Sequence, residues 1–290
     1  MLIIKLFQIV MLSLLVGCTS LFYQPDRFMY VPPEKLNLEY QQIRFDSLDG
    51  VPLLGWYFPV KKEKPKTFII FFHGNAQNIT SHYLNLHWIP KEGHEFFIFD
   101  YRGYGLSGIV PALYGNGERQ IKANRSGVYK DSIAALEKGY ELFKKSGAKK
   151  LVIYGQSLGG AIAQRALEDF MHMNEVDLVV LDSTFNSYQK IAFDKLWGVW
   201  LFKPLSPLAY ILVSDEYRST KFLKNNKTRL LVIHGDKDFV VPYKFGTEIF
   251  AMATQENKEF WSIKDGVHTD VFARHEDIYK KKFLELLDSL

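Results

Sequence analysis

A serine framed by two glycines, Gly155-Gln156-Ser157-Leu158-Gly159, follows the short apolar run Lys150-Leu151-Val152-Ile153-Tyr154 and precedes Leu158-Gly159-Gly160-Ala161-Ile162-Ala163. The first run reads as a buried strand and the second opens a helix, so Ser157 falls in the turn between them. Glycines permit a tight, strained turn that lifts the serine Oγ clear of a sheet, and the N-terminus of the following helix favours developing negative charge. A serine hydroxyl is a poor nucleophile at neutral pH. It needs a base, and the base needs an orienting carboxylate. Histidines after Ser157 are His172, His234, His268 and His275. His172 reads as part of the helix after the turn and His275 as part of the C-terminal helix, where packing or solvation accounts for them. His234 follows the buried run Leu231-Val232-Ile233 and precedes the aspartates Asp236 and Asp238. His268, in Lys264-Asp265-Gly266-Val267-His268, follows the last expected strand and emerges at the same sheet edge as Ser157, which makes it the expected base.

Two aspartates, Asp236 and Asp238, stand just past the buried run Leu231-Val232-Ile233. The stretch His234-Gly235-Asp236-Lys237-Asp238-Phe239-Val240-Val241-Pro242 resembles the α/β-hydrolase superfamily, many members of which end this strand with His-Gly-x-x-Asp-x-x-Val-Pro. The resemblance implies that Asp238 is the catalytic acid and that Asp236 caps or orients the loop. Asp182, at the end of Val179-Val180-Leu181-Asp182, is the rival, because some hydrolases take their acid from that earlier strand. Phe71-Phe72-His73-Gly74-Asn75-Ala76 is similar to the His-Gly-x segment from which the family presents one oxyanion-hole N–H, here that of Asn75, with Leu158 supplying the second. His73 is expected to brace that loop. Asp100 to Ser107 also resembles the family and is expected to be structural. The resemblance spans residues 39 to 290 and is nearest to the branch of ABHD-type serine hydrolases, which includes eukaryotic protein depalmitoylases. This chain departs from the pattern in a longer Ile109 to Ala123 segment, which bears on the pocket, and in Arg229 where a proline is common.

The elements that must position these residues alternate along the chain. Apolar runs bounded by turn residues predict strands at Leu53 to Val60, Thr67 to Phe72, Glu95 to Asp100, Lys150 to Tyr154, Val176 to Asp182, Arg229 to Ile233 and Glu259 to Ile263. Helical patterns lie at Ser81 to Lys91, Gly127 to Lys145, Leu158 to Met171, Tyr243 to Thr254 and Asp270 to Leu287. Strands separated by helices of this length predict an α/β fold of the α/β-hydrolase kind, a mostly parallel sheet with helices on both faces. Gln41 to Asp46 and Leu53 to Val60, joined by Asp49-Gly50, predict an antiparallel hairpin at its edge. No linker or repeat divides residues 18 to 290, which read as one domain. Between Phe185 and Arg218 the pattern is irregular and strongly apolar. Residues 186–218 are the expected lid, inserted before the acid-bearing strand, and its aromatics either form an acyl-chain pocket or membrane-facing cap or pack on the core.

With 290 residues, 47% of them hydrophobic, the chain can bury a large core, while a net charge of +4 with dispersed basic residues gives nucleic-acid binding little support. There is one cysteine, Cys18, which excludes an intramolecular disulfide and any all-cysteine metal site. The N-terminus has a lysine, an apolar run from Leu6 to Val16 and the small-residue end Gly17-Cys18-Thr19-Ser20, the organisation of a secretory signal over residues 1–17. Leu15-Val16-Gly17-Cys18 resembles the bacterial lipobox. That resemblance implies cleavage before Cys18, lipid on that residue, and a protein tethered to a membrane of the cell envelope. Thr19 is similar to the sorting position of outer-membrane lipoproteins. The expected activity is hydrolysis of a carboxylic ester or thioester through an acyl-enzyme on Ser157, with a small-molecule or lipid-like acyl substrate and with no cofactor or metal required. The alternatives are a serine peptidase or amidase using the same groups, and a non-catalytic envelope lipoprotein on a hydrolase scaffold.

Overall fold

The computed structural model describes residues 22–61, 64–112, 116–274 and 276–290. The expected signal segment 1–17, Cys18 and His275 lie outside the described residues.

Eight strands form one sheet: β1 (Gln41–Asp46), β2 (Pro52–Phe58), β3 (Thr67–Phe72), β4 (Glu95–Phe99), and, skipping a short pair described below, β7 (Lys150–Gln156), β8 (Val176–Asp182), β9 (Arg229–Gly235) and β10 (Lys258–Ile263), in the spatial order β1-β2-β4-β3-β7-β8-β9-β10. β1 and β2 are the expected antiparallel edge hairpin, and β2 also runs antiparallel to β4. From β4 through β10 every neighbouring pair is parallel. The buried strands are apolar on both sides because both sheet faces are covered. Phe68, Ile70 and Phe72 of β3 join a core with Val128 and Leu136, while Ile69 and Phe71 join a second core with Trp88 and Phe283.

The helices are α1 (Ile79–His82), α2 (Arg125–Ser146), α3 (Leu158–Leu167), α4 (Tyr188–Gly198), α5 (Ala209–Leu212), α6 (Thr220–Asn225), α7 (Lys244–Met252), α8 (Val271–Arg274) and α9 (Glu276–Asp288). Three segments differ from the sequence reading. The expected helix Ser81 to Lys91 is broken into α1 and two 3-10 turns, Tyr83–Asn85 and Ile89–Glu92. Pro90 cannot donate a backbone hydrogen bond to a continuing α-helix, and Gly93 ends the last turn at a left-handed φ of 88°. α3 stops at Leu167, so His172 lies beyond it, stacked on Tyr140. The long Ile109 to Ala123 segment is a small antiparallel hairpin, β5 (Ile109–Pro111) with β6 (Glu118–Gln120).

Asp100 to Ser107 has the structural role expected of it. Arg102 is buried, and its guanidinium and backbone N–H bond to Asp131, also buried, while Asp49 and Ser47 take its remaining donors. This ties the end of β4 to α2. Removing one partner of such a buried pair costs about 3–5 kcal/mol, because the other charge is left uncompensated.

Residues 186–218 leave the sheet after β8 as α4, a 3-10 stretch Trp200–Leu208 and α5, which pack largely on one another. At the base, Ser187 Oγ donates to Asp215 at 2.8 Å and Tyr188 packs edge-on to Tyr217. The apolar side chains farther out do not pack on the core. Trp200 is 83% exposed and Ile211 72%.

Candidate active site

Parallel register brings four strand ends to one edge of the sheet. Gln156 opposes Asp182, Asp182 opposes Ile233, and Gly235 opposes Ile263. The loops after β7, β9 and β10 therefore leave together, carrying Ser157, Asp238 and His268.

Ser157 sits at φ 52°, ψ −122°, a conformation that L-residues rarely adopt, immediately before the first residue of α3 and with no side-chain capping bond to it. Such strain, about 1–3 kcal/mol, persists only where the surroundings over-determine it. Here they do. A Cβ on Gly159 would stand 2.2 Å from the Phe72 carbonyl oxygen, and one on Gly155 would stand 2.6 Å from Gly160 Cα. The Ser157 N–H donates to Asp182 O at 2.8 Å, and Thr184 Oγ1 donates to Ser157 O.

His268 Nε2 lies 2.9 Å from Ser157 Oγ, and His268 Nδ1 lies 2.7 Å from Asp238 Oδ2. An ionised carboxylate only accepts, so Nδ1 carries the proton and Nε2 is left to accept from the serine hydroxyl. The other oxygen of Asp238, Oδ1, accepts from the N–H groups of Val240 and Val241, both at 2.8 Å, which fixes the carboxylate plane. Beneath it the buried His234 donates from Nε2 to Val241 O at 2.8 Å, and burial holds its pKa below the ordinary histidine value. The Asp238 and His268 loops are joined by Lys237 N–H to Gly266 O at 2.8 Å.

Asp182 does not reach His268 by a hydrogen bond. It is fully buried, accepts from Tyr154 OH and Ser183 Oγ, and burial pushes its pKa up to about 6. Asp236 is exposed, and the loop is tied by its backbone N–H to Ile263 O rather than by a capping carboxylate as expected.

The Gly74–Asn75 peptide lies beside Ser157: a Cβ on Gly74 would be 3.4 Å from Ser157 Cβ. Leu158 is the first residue of α3, where a helix leaves its N–H groups unsatisfied. His73 braces this region from below. Its Nδ1 donates to Gly74 O at 2.8 Å, and Nε2 lies 3.4 Å from Asp100 Oδ1.

Several supports were not apparent in the sequence. Tyr101 OH donates to His73 O and Tyr104 OH to Asn75 Oδ1, so the Asp100 to Ser107 segment holds the His73–Asn75 loop. Asn75 Oδ1 also accepts from the N–H of Gln24, in a strap of residues 22–31 whose Asp26 and Phe28 carbonyls bond the neighbouring Asn78 amide. The strap has neither periodicity nor motif, so its sequence offers no signal. Past Asn75, Ala76 and Gln77 both take left-handed φ, 59° and 56°. His82 secures them by donating from Nε2 to Ala76 O at 3.0 Å, with Nδ1 3.2 Å from the Gln156 amide. Among the described residues no group of three or more His, Cys, Asp or Glu is arranged to hold a metal ion.

A mostly parallel sheet with a strained serine between a central strand and a helix defines the α/β-hydrolase fold. The chain belongs to the family described as serine aminopeptidase S33, whose model matches residues 63–226. It is 28% identical over 276 residues to the uncharacterised protein YfhR of Escherichia coli K12, covering 92% of this chain and 86% of that one. It is 26% identical over 227 residues to the lysophosphatidylserine lipase ABHD12 of Macaca fascicularis, covering 73% of this chain and 52% of that one. Among solved structures, the Pyrococcus furiosus esterase Pf2001 superposes with a TM-score of 0.68 at 19% identity, over 92% of this chain and 97% of that chain.

The His82 support has a pH signature. Burial, then the neighbouring His73, pulls its pKa from 6.5 down to about 4. Unfolded chains therefore take up a proton here between pH 6.5 and 4 that the folded protein refuses, so stability falls as pH drops through that window. The ring keeps some solvent contact, which limits the effect to about 2 kcal/mol. Denaturant unfolding of His82→Gln should show a pH 7 to pH 4 stability loss smaller by that amount than the wild type. An identical loss in both proteins would contradict it.

Proposed function

We propose that this serine hydrolase cleaves carboxylic esters or thioesters through an acyl-enzyme, with Ser157 as nucleophile, His268 as base and then acid, and Asp238 as the group that orients His268. The observation that carries the reading is the unbroken line Ser157 Oγ, His268 Nε2, His268 Nδ1, Asp238 Oδ2, with spacings of 2.9 and 2.7 Å. Ser157 Oγ attacks the acyl carbon as its proton passes to His268 Nε2. The N–H groups of Asn75 and Leu158 receive the oxyanion, and the positive end of α3 adds to that field. His268 then returns the proton to the departing alkoxide or thiolate, and water repeats the sequence to free the acid and restore Ser157.

Peptidase chemistry uses the same groups on an amide and is the second reading, favoured by the family's description. Two observations support an ester. A relative is named a lysophosphatidylserine lipase, and the segment before β9 presents exposed apolar side chains on the side of the acid loop. A binding-only role would leave the complete Ser157, His268 and Asp238 line without a purpose. We also propose that the mature chain begins at a lipidated Cys18 and resides in a bacterial cell envelope, at the outer membrane rather than the inner.

Ser157→Ala should abolish fluorophosphonate labelling and lower ester turnover by roughly 10,000-fold or more. Asp238→Asn should lower kcat by about 10,000-fold, whereas Asp182→Asn should stay within about tenfold. Retained labelling in Ser157→Ala would refute the nucleophile, and the reverse order of the two aspartates would move the acid to β8. Turnover of a peptide panel in preference to p-nitrophenyl esters would favour the peptidase. For the anchor, intact mass of the envelope-purified protein should fit a chain starting at acylated Cys18; an unmodified Cys18 with its upstream residues attached would rule it out.

A further inference from the structure

We infer that the ridge formed by the Trp197 to Ile211 stretch, together with the Phe239–Val240 tip of the acid loop, lies flat against an anionic lipid bilayer and turns the Ser157 site toward acyl substrates held in that bilayer. The inference deepens the ester-hydrolase reading and rests on it for the substrate, though not for the surface itself.

The ridge exposes several large apolar side chains along one short stretch of chain. Trp200 is 83% exposed, Ile211 72%, Leu201 66% and Phe239 80%. α4 ends at Gly198, and the 3-10 stretch that follows, with Pro204 and Pro207, buries Ser206 and leaves Trp200 and Leu201 outward.

Charge selects the occupant. From Trp197 to Leu212 the single charged residue is Lys203, whose Nζ sits 5.5 Å over the Trp197 ring. Lys195 stands beside it, donating to Phe239 O at 3.0 Å and joining α4 to the acid loop. Tryptophan, leucine and phenylalanine with interspersed lysine and no acid is the composition of a surface that enters the headgroup region of anionic lipid. Among the described residues no helix is long and apolar enough to cross a membrane, so the contact described by these residues is interfacial.

The entry of the chain points the same way. Phe22 packs edge-on against Tyr188, the first residue of α4, with ring centroids 5.0 Å apart, and Gln24 bonds Asn75. Cys18 lies four residues upstream, within about 14 Å of chain. A lipid on the proposed Cys18 anchor would be attached within that length of chain from the Phe22–Tyr188 contact. Two contacts fix an orientation that a tether alone leaves free. The ridge also reaches the chemistry, because Val240, at the exposed tip, donates its N–H to Asp238.

The test uses the full chain in phosphatidylcholine–phosphatidylglycerol vesicles. Of five tryptophans, Trp56, Trp88 and Trp261 are buried in the core, so quenching by lipids brominated on their acyl chains reports Trp197 and Trp200. Wild-type fluorescence should be quenched by brominated lipid and shielded from acrylamide on vesicle addition. The double variant Leu201→Asp/Ile211→Asp should lose both effects and cleave a vesicle-embedded ester about tenfold or more slowly, since it places two charges where apolar side chains would enter the lipid. Its turnover of a short soluble ester should stay within about twofold of wild type, which also reports its folding. Absence of bromolipid quenching in the wild type would overturn the proposal. So would acrylamide shielding that rises with protein concentration in the absence of lipid, which assigns the ridge to a second copy. Quenching without soluble-ester turnover in the wild type would leave the surface standing and refute the hydrolase reading instead.

Discussion

Ser157 is held in a backbone conformation that L-residues avoid, and much of the surrounding structure exists to hold it there. The constraint is steric on every side. Gly155 lies against Gly160, Gly159 against the carbonyls of Phe72 and His73, and Gly160 against Thr184, each too close for a Cβ. Hydrogen bonds close the remaining freedom, with the Ser157 N–H given to Asp182 and its carbonyl held by Thr184. These contacts place Oγ above the sheet and at the start of α3 in a single step. β3, β7 and β8 must therefore pair in the observed parallel register, because a slip of one residue would reverse every side chain on the strand.

Around that fixed point the polar groups divide their work. Asp182 serves the elbow through its backbone carbonyl while Tyr154 and Ser183 take up its carboxylate, which leaves Asp238 to face the imidazole with one oxygen while backbone N–H groups hold the other. His234 and His73 occupy similar buried positions under the acid loop and the oxyanion-side loop, each bonding a backbone carbonyl. The strap at residues 22–31 and the Asp100 to Ser107 segment converge on Asn75, one through Gln24 and the other through Tyr104. The segment next to the proposed anchor is thus built into the wall of the site.

What the sequence made legible follows from which forces are local. Thr67–Phe72 and Val176–Asp182 are continuous apolar runs ended by turn residues, and the structure has those same bounds, because burial on both faces leaves little choice of pattern. The Gly-x-Ser-x-Gly spacing records a backbone requirement directly, so the elbow could be read off the chain. His268 stands out by its position after the last strand and Asp238 by the His-Gly-x-x-Asp-x-x-Val-Pro resemblance, and the structure places His268 within hydrogen-bond reach of both Ser157 and Asp238. The apolar spacing of Ser81 to Lys91 suits a continuous helix, but Pro90 within it and Gly93 just beyond it do not, and the segment is broken into short turns. Asp236 was misread because a carboxylate in a turn is usually a cap, whereas here the backbone makes the tie. The strap and the His82 to Ala76 bond depend on contacts 6 to 52 residues apart and have no local signature.

The central claim is that Ser157 takes the acyl group while His268, oriented by Asp238, handles the proton. Rapid-quench kinetics with a p-nitrophenyl ester, followed by mass analysis of the quenched protein, tests it most directly. The account predicts a burst of one p-nitrophenol per protein and an acyl mass increment that maps to the peptide carrying Ser157. Steady turnover with no burst and no increment, or an increment on another residue, would contradict it.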